Sequence, residues 1–440
     1  MRELNAPPGK SDAISYTCTC GEPGFVLLFY LYWANSHMLP EQYLPETIDP
    51  EKLAEFHREQ GGLCSLSGKI RVSKEGFNIT VAGSEEDIQR YITACCSHWS
   101  FSGLGLGYDT SASTALREKA QRTRDEFFKP TPGCRCVFEG ILNVRVTAEI
   151  TPLGVTNYSP STWEAVQALE PAGFHQKCLD ENVKLVDVRN YYESRIGYFV
   201  SPTTGEAVKP PIRRFSQWPQ WVKEHGDKIM GNDEGLAGLE KGKPPQVLTY
   251  CTGGIRCEKG VRWMEEYMSK DELRDLGEIY TLKGGIAAYL TWMEAEISAG
   301  NKKAEDSLFK GRNYVFDARG STGLAGTEPV SNCHSCGAPS NRLSKCVSPG
   351  CHLVLVVCPA CDLGNVRCCD DCLKLCHEEQ LADAMGHRRP KPLCECEQAR
   401  ERELWAGERV KEPKTQGWRK KKRMQDGYRK KLDIRIKVVE

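Results

Sequence analysis

The chain has 440 residues, 40% hydrophobic and 27% charged, with 59 basic residues balancing 59 acidic ones. That is enough for several domains with sizeable cores, and it excludes a disordered chain, which would be poorer in apolar residues. The longest apolar run, Phe25 to Ala34, is ten residues, about half of a bilayer crossing, so a membrane-spanning helix is excluded too.

In chain order, residues 1–24 read as an N-terminal extension whose start, Met1 to Pro8, lacks the apolar core of a secretory signal. The run from Phe25 reads as a buried strand. Asp49-Pro50 opens a short helix through Gln60, and Lys69–Val72 and Phe77–Ala82 flank a turn at Lys74-Glu75-Gly76 as a hairpin. Ser84-Glu85-Glu86-Asp87 caps a second helix through Ala94, and a further strand is expected over Ile141–Ile150. The order β-α-β-β-α-β over residues 25–156 is the ferredoxin-like split βαβ pattern, with Phe101–Pro132 as an insertion. Residues 157–180 read as a connector with one helix, Ser161–Leu169. From Val183, strands at Val183–Arg189, Gln246–Tyr250 and around Ile279-Tyr280 alternate with helices at Glu258–Met268 and Gly284–Ile297. That alternation is the rhythm of a parallel α/β sheet, placed at residues 157–320, with Gly205–Pro245 as a loop-heavy insertion. A cysteine-rich segment, 321–380, and a basic tail, 381–440, complete an α+β and α/β multidomain chain.

The most informative segment is Tyr250-Cys251-Thr252-Gly253-Gly254-Ile255-Arg256-Cys257-Glu258. A buried strand delivers Cys251 to its carboxyl end, and a glycine-bearing loop turns directly into a helix. There the loop N–H groups of Thr252, Gly253, Gly254, Ile255 and Cys257 can converge on one small anion. The helix dipole and Arg256 lower the thiol pKa and favour the nucleophilic thiolate. Cys-x4-Arg is the spacing of rhodanese sulfurtransferases; protein tyrosine phosphatases use a loop one residue longer. Supporting features are Asp187-Val188-Arg189 closing the first strand and Lys283-Gly284-Gly285 after the last. The plainer alternative is a buried structural cysteine at a tight turn. Cys257 either resolves an oxidised Cys251 as a disulfide or is a small packed residue.

Cys251 to Lys259 resembles the oxygen-dependent tRNA wobble-uridine hydroxylases, a rhodanese-containing family. Leu28–Tyr32, Gly68–Ile79, Leu185–Asn190, Lys310–Asp317 and Cys333–Pro339 resemble it in the same order, over roughly residues 25 to 376. The resemblance implies an acylphosphatase-like N-terminal domain, a central rhodanese domain and a cysteine-rich C-terminal segment. It implies C5 hydroxylation of a wobble uridine in tRNA with molecular oxygen, Cys251 being the essential thiol, and no nucleotide or flavin cofactor. The chain is similar to the longer eukaryotic members, with extra sequence at 103–132, 205–245 and 381–440.

Of 22 cysteines, about 5% of the chain, ten lie between Cys333 and Cys376; a disulfide scaffold would exceed roughly 8–10%. Cytoplasmic placement is expected, with a plastid or other organelle as the alternative if the N-terminus is incomplete. Clustered thiols in a reducing compartment point to metal or thiol chemistry. The Cys-x2-Cys knuckles supply Cys333, Cys336, Cys346, Cys351, Cys358, Cys361, Cys369 and Cys372, enough for two structural zincs, paired sequentially or as a cross-brace. From Arg409 to Lys437 there are thirteen Lys or Arg against three acids. Within that tail Trp418, Arg419, Lys420, Lys421, Lys422 and Arg423 suit RNA contact, or a solvated charge run. Three functions follow: a tRNA hydroxylase using Cys251, a sulfurtransferase passing a Cys251 persulfide between donor and acceptor thiols, and a zinc-stabilised interaction module.

Overall fold

The computed structural model describes residues 23–33, 48–107, 113–155, 158, 166–230, 245–268, 277–348, 351, 353–372, 374 and 394–404. The tail residues Trp418 to Arg423 lie outside the described residues.

The first unit is built from β1 (Gly24–Tyr32), α1 (Pro50–Leu63), β2 (Ser67–Ser73), β3 (Gly76–Ser84), α2 (Glu85–Ser97), α3 (Thr114–Phe128), β4 (Thr131–Gly133) and β5 (Leu142–Val146). Asp49 and Ser84 accept backbone N–H groups at the starts of α1 and α2, satisfying donors that a helix leaves unpaired. The sheet order is β4-β1-β3-β2-β5. The split βαβ arrangement is present, but its fourth strand is β4, antiparallel to β1. The strand expected over 141–150 is shorter and adds to the opposite edge, parallel to β2. Nor is 101–132 external to the domain, since Phe101 and Phe128 are buried beside Phe29 in its core. The aromatic residues of a segment that otherwise reads as a polar helix are what pull it in.

The second unit has a four-stranded parallel sheet, β6-β11-β10-β7, made of β6 (Gln167–Leu169), β7 (Val183–Asp187), β10 (Gln246–Tyr250) and β11 (Ile279–Leu282). Residues 167–169, expected in a helix, form an edge strand, and the helix here is α4 (Pro171–Lys177). Beside this sheet lie α5 (Tyr191–Ser194) and the small strands β8 (Gly197–Ser201) and β9 (Gly205–Glu206). The segment read as a loop-heavy insertion contains α6 (Trp218–Met230), whose Trp218 and Trp221 are buried and stacked at 5.3 Å. β10 lies between β7 and β11 and leads into α7 (Ile255–Tyr267).

β1 fuses the two units. Leu27, Phe29 and Leu31 point into the first core, while the alternate residues Leu28, Tyr30 and Tyr32 face the β10–α7 loop. A strand covered on both faces must be apolar without interruption, which explains the run at 25–34. The join is locked by Lys259 of α7. Its fully buried Nζ pairs with Glu75 at 2.9 Å and Glu149 at 2.6 Å and donates to the Thr151 carbonyl at 3.3 Å. Removing the cation leaves two carboxylates of the first unit side by side without their counter-charge. Lys259→Ala is expected to lose about 3 kcal/mol, read as a lowered urea midpoint of the full chain; an unchanged midpoint would show that the contact carries no stability.

Candidate active site

Cys251 leaves the carboxyl end of β10, the position where open parallel sheets bind ligands. The next residues wind into α7 through Gly254, whose φ of +99° an L side chain rarely adopts. Space also demands glycine here. A Cβ on Gly254 would lie 2.8 Å from the Tyr30 hydroxyl, and one on Gly253 would lie 3.3 Å from Leu28. On the other side, Ile286 and Ala287 N–H groups bind the Cys251 and Thr252 carbonyls at 2.9 and 3.0 Å. A Cβ on Gly285 would meet the Cys251 carbonyl at 2.5 Å. These donors hold the carbonyls of the loop's first two residues.

The sulfur is fully buried and accepts the Gly254 N–H at 3.1 Å. Burial alone would push its pKa up. A hydrogen bond from the Cys257 thiol, the Arg256 charge and the Cys257 and Arg256 N–H groups outweigh it and bring the pKa down to about 5. Cys257 moves the opposite way, its thiol held protonated by burial and by the anion it serves. The Thr252 hydroxyl donates to Glu193 at 3.2 Å, and the Ile255 carbonyl accepts from Tyr32 at 3.3 Å.

Glu193, on α5, is a residue the sequence reading missed. It is fully buried and takes Arg256 in a two-pronged grip, at 2.6 and 2.7 Å. Burial raises its pKa, but Arg256 outweighs that and leaves it lowered. Asn190 N–H donates back to Glu193 at 3.1 Å, so an Asn-x-x-Glu cap at the end of the first strand was the available signal. Asp187 and Arg189 pair with each other at 2.7 Å, and Arg189 donates to the Gly197 carbonyl. They brace the turn that carries α5 and, through Glu193, the placement of Arg256.

The first unit supplies the rest of the wall. The Tyr30 hydroxyl donates to Glu258, whose pKa is raised by burial. Lys129 is pulled down to about 8, first by burial and then by the like charge of Lys283, against an opposing pull from Cys251. Phe316 lies 6.0 Å from the Arg256 guanidinium with half of its ring exposed. His57, His98 and His225 are absorbed locally: His57 bonds Tyr91 at 2.8 Å, His98 stacks on Phe56, and His225 meets the Glu403 carbonyl.

The cysteine-rich segment brings its thiols together in an interleaved order. Cys333, Cys336, Cys358 and Cys361 form one four-sulfur group; Cys346, Cys351, Cys368 and Cys372 form a second, each able to hold a metal ion. Cys368 therefore stands where Cys369 was expected. Cys369 belongs to an overlapping group with Cys368, Cys372 and Cys394. Strands Leu343–Lys345 and Val354–Val356 pair between the two groups.

An α/β sheet ending in a thiolate-cradling Cys-x4-Arg loop, roofed by a split βαβ domain, defines a rhodanese-type protein with an added N-terminal module. Residues 42–150 match the UPF0176 acylphosphatase-like domain, and residues 310–373 match the rhodanase C-terminal family. The chain is 31% identical over 313 residues to the tRNA uridine(34) hydroxylase of Streptococcus uberis, covering 71% of this chain and 79% of that one. It is 30% identical over 271 residues to the Enterococcus faecalis protein of that name (62% and 68%), and 27% over 330 residues to that of Bacillus mycoides (74% and 82%). The chain belongs to the tRNA uridine(34) hydroxylase family.

With its pKa near 5, Cys251 is a thiolate at neutral pH and takes up its proton only as the pH falls through that value. Thiolate ultraviolet absorbance, wild type minus Cys251→Ser, should titrate with a midpoint of about 5. Arg256→Ala should move the midpoint upward, because it removes a charge that favours the anion. A wild-type midpoint near the ordinary thiol value would refute this electrostatic account.

Proposed function

We propose that this chain is an enzyme that hydroxylates the wobble uridine of tRNA at C5 in an oxygen-dependent reaction, with Cys251 as the reacting thiol. The observation that carries this reading is a single buried sulfur stabilised as an anion by the Gly254 N–H, the Cys257 thiol and Arg256. An inert scaffold has no need of a charge in such a place, where burying it is costly unless donors converge. Arg256 stabilises the sulfur anion, Glu193 positions Arg256, and the loop N–H groups set the size of the group the cradle accepts.

The division of labour we propose follows the expected segments. Residues 25–156 roof the site, 157–320 carry the chemistry, 321–380 stiffen it, and the tail around Trp418–Arg423 contacts the tRNA backbone. Among the described residues no helix is long and apolar enough to cross a membrane. We place the reaction in the cytoplasm because its proposed substrate is tRNA. A sulfurtransferase is the second reading, favoured by the Cys-x4-Arg spacing; it requires sulfur-donor and acceptor thiols. The reading is tested by nucleoside mass spectrometry of tRNA from cells lacking the protein. Wild type should restore 5-hydroxyuridine-type nucleosides and Cys251→Ser should leave them at the level of the deletion strain. Unchanged nucleosides together with thiosulfate:cyanide turnover by the pure protein would transfer the assignment to sulfur transfer.

We propose that the two interleaved groups hold structural zinc, tetrathiolate sites of the kind that supply folding energy directly. Metal analysis of the purified chain should give two zinc ions. Cys333→Ser should lose one and Cys346→Ser the other. Any other metal, or a full complement retained by both variants, would refute the ligand sets.

A further inference from the structure

Hydroxylating a C–H bond with dioxygen leaves an account to close. Reducing both oxygen atoms takes four electrons, and the C5–H bond provides two. The other two require a donor, and whatever supplies them has to reach Cys251, which is fully buried in a loop whose glycines pack against Leu28 and Tyr30. An external thiol cannot approach that sulfur while the roof is closed. One thiol is already inside: Cys257, in the first turn of α7, is equally buried, packs in the same cluster as Cys251 and favours the Cys251 anion. It belongs to the same buried cluster and lies beside Thr249 at the end of β10. The pair is asymmetric, one sulfur an anion and the other a protonated thiol.

Resting on the hydroxylase reading, we infer that Cys251 and Cys257 act together as the enzyme's internal two-electron reductant, ending each turnover as a disulfide. In the first stage the uridine C5–H bond breaks and a C5–O bond forms with one atom of dioxygen. The second atom bonds to the Cys251 sulfur. The net change, uridine-H plus O2 plus the Cys251 thiolate plus one proton from solvent gives uridine-OH plus Cys251-SOH, and it balances in atoms, charge and electrons. In the second stage the Cys257 sulfur attacks the sulfenic sulfur of Cys251. The S–O bond breaks, the S–S bond forms, and hydroxide leaves with the Cys257 proton as water. A dithiol reductant from solution then restores both thiols while Leu28 and Tyr30 are displaced for the product to leave. Under this scheme the thiol that helps hold Cys251 anionic is the same one that resolves it, both lying in one buried cluster.

The test uses the full chain, reduced and then freed of reductant, mixed with unmodified tRNA in aerated buffer. Wild type should form one 5-hydroxyuridine per chain and stop, with peptide mass spectrometry showing a Cys251–Cys257 disulfide in equal amount. Adding dithiothreitol should restart turnover. Cys257→Ser keeps a hydrogen-bond donor beside Cys251 but cannot close the disulfide. Its first turnover is expected to be slower, and each product it forms should leave one Cys251 as a sulfenic acid trapped by dimedone. The inference is overturned if wild type makes several products per chain without reductant. It is equally overturned if product forms with no disulfide, or if Cys257→Ser turns over repeatedly without dimedone-reactive Cys251. If wild type forms no product even with dithiothreitol, the hydroxylase reading falls and this inference with it.

Discussion

A negative charge can sit on a buried sulfur only where enough donors converge to replace the water it has lost. In this chain that condition is met by the Gly254 N–H, the Cys257 thiol, the N–H groups of the first helical turn and the Arg256 guanidinium. Each of these has its own requirement. The amide needs a backbone turn open to glycine, and the guanidinium needs a carboxylate, since an unpaired buried cation would be as costly as the anion it serves. Glu193 meets that need, with its own backbone cap from Asn190. The conformation of residues 187–194 and 251–257 is thus one electrostatic solution spread over two strand ends.

The site is also shared between units distant in sequence. The β1 face with Leu28, Tyr30 and Tyr32 closes over the loop, packing tightly on Gly253 and crowding any Cβ at Gly254. The Lys259 contacts with Glu75 and Glu149 fix how closely that roof approaches. A roof pinned by buried ion pairs excludes water from the thiolate, which strengthens every interaction inside the cradle. It also means that a nucleotide base can reach the fully buried sulfur only after side chains around it move.

What could be read from the sequence was local. Cys251, its glycines and Arg256 are contiguous, and strand-loop-helix punctuation around them is strong, so the loop was legible residue by residue. The hairpin at Lys74–Gly76 and the caps at Asp49 and Ser84 were legible for the same reason. The failures share a cause in long-range packing. Thr131–Gly133 is a three-residue strand with no alternation to reveal it, and β1 alone makes it one. The Trp218 helix was hidden because its period is interrupted at His225, where φ is −136°, in a stretch rich in Gly and Pro. The Cys368 placement follows from which of two adjacent cysteines faces inward, a matter of side-chain direction that spacing does not carry. Glu193 and Tyr30 act on Cys251 across 58 and 221 residues of chain respectively, and no periodicity spans such distances.

The cysteine-rich segment is not an appendage to this arrangement. Val354, on the strand between its two thiol groups, donates its N–H to the Tyr191 hydroxyl at 3.1 Å, and that hydroxyl lies 3.4 Å from the Val354 carbonyl. Tyr191 opens the single helical turn that ends with Glu193 and Ser194, and its N–H is bound by the Ile212 carbonyl at 2.8 Å. A helix of four residues has almost no stability of its own, because nucleation costs more than one turn of hydrogen bonds returns. Its geometry has to be imposed from outside, and the Val354 strand is one of the surfaces that impose it. A continuous line of contacts therefore runs from the thiol groups through Val354, Tyr191 and Glu193 to Arg256 and the sulfur. On this view a metal at the cysteine groups has a reason to be there that folding of the segment alone does not supply: it stiffens the strand against which the short helix carrying Glu193 is held.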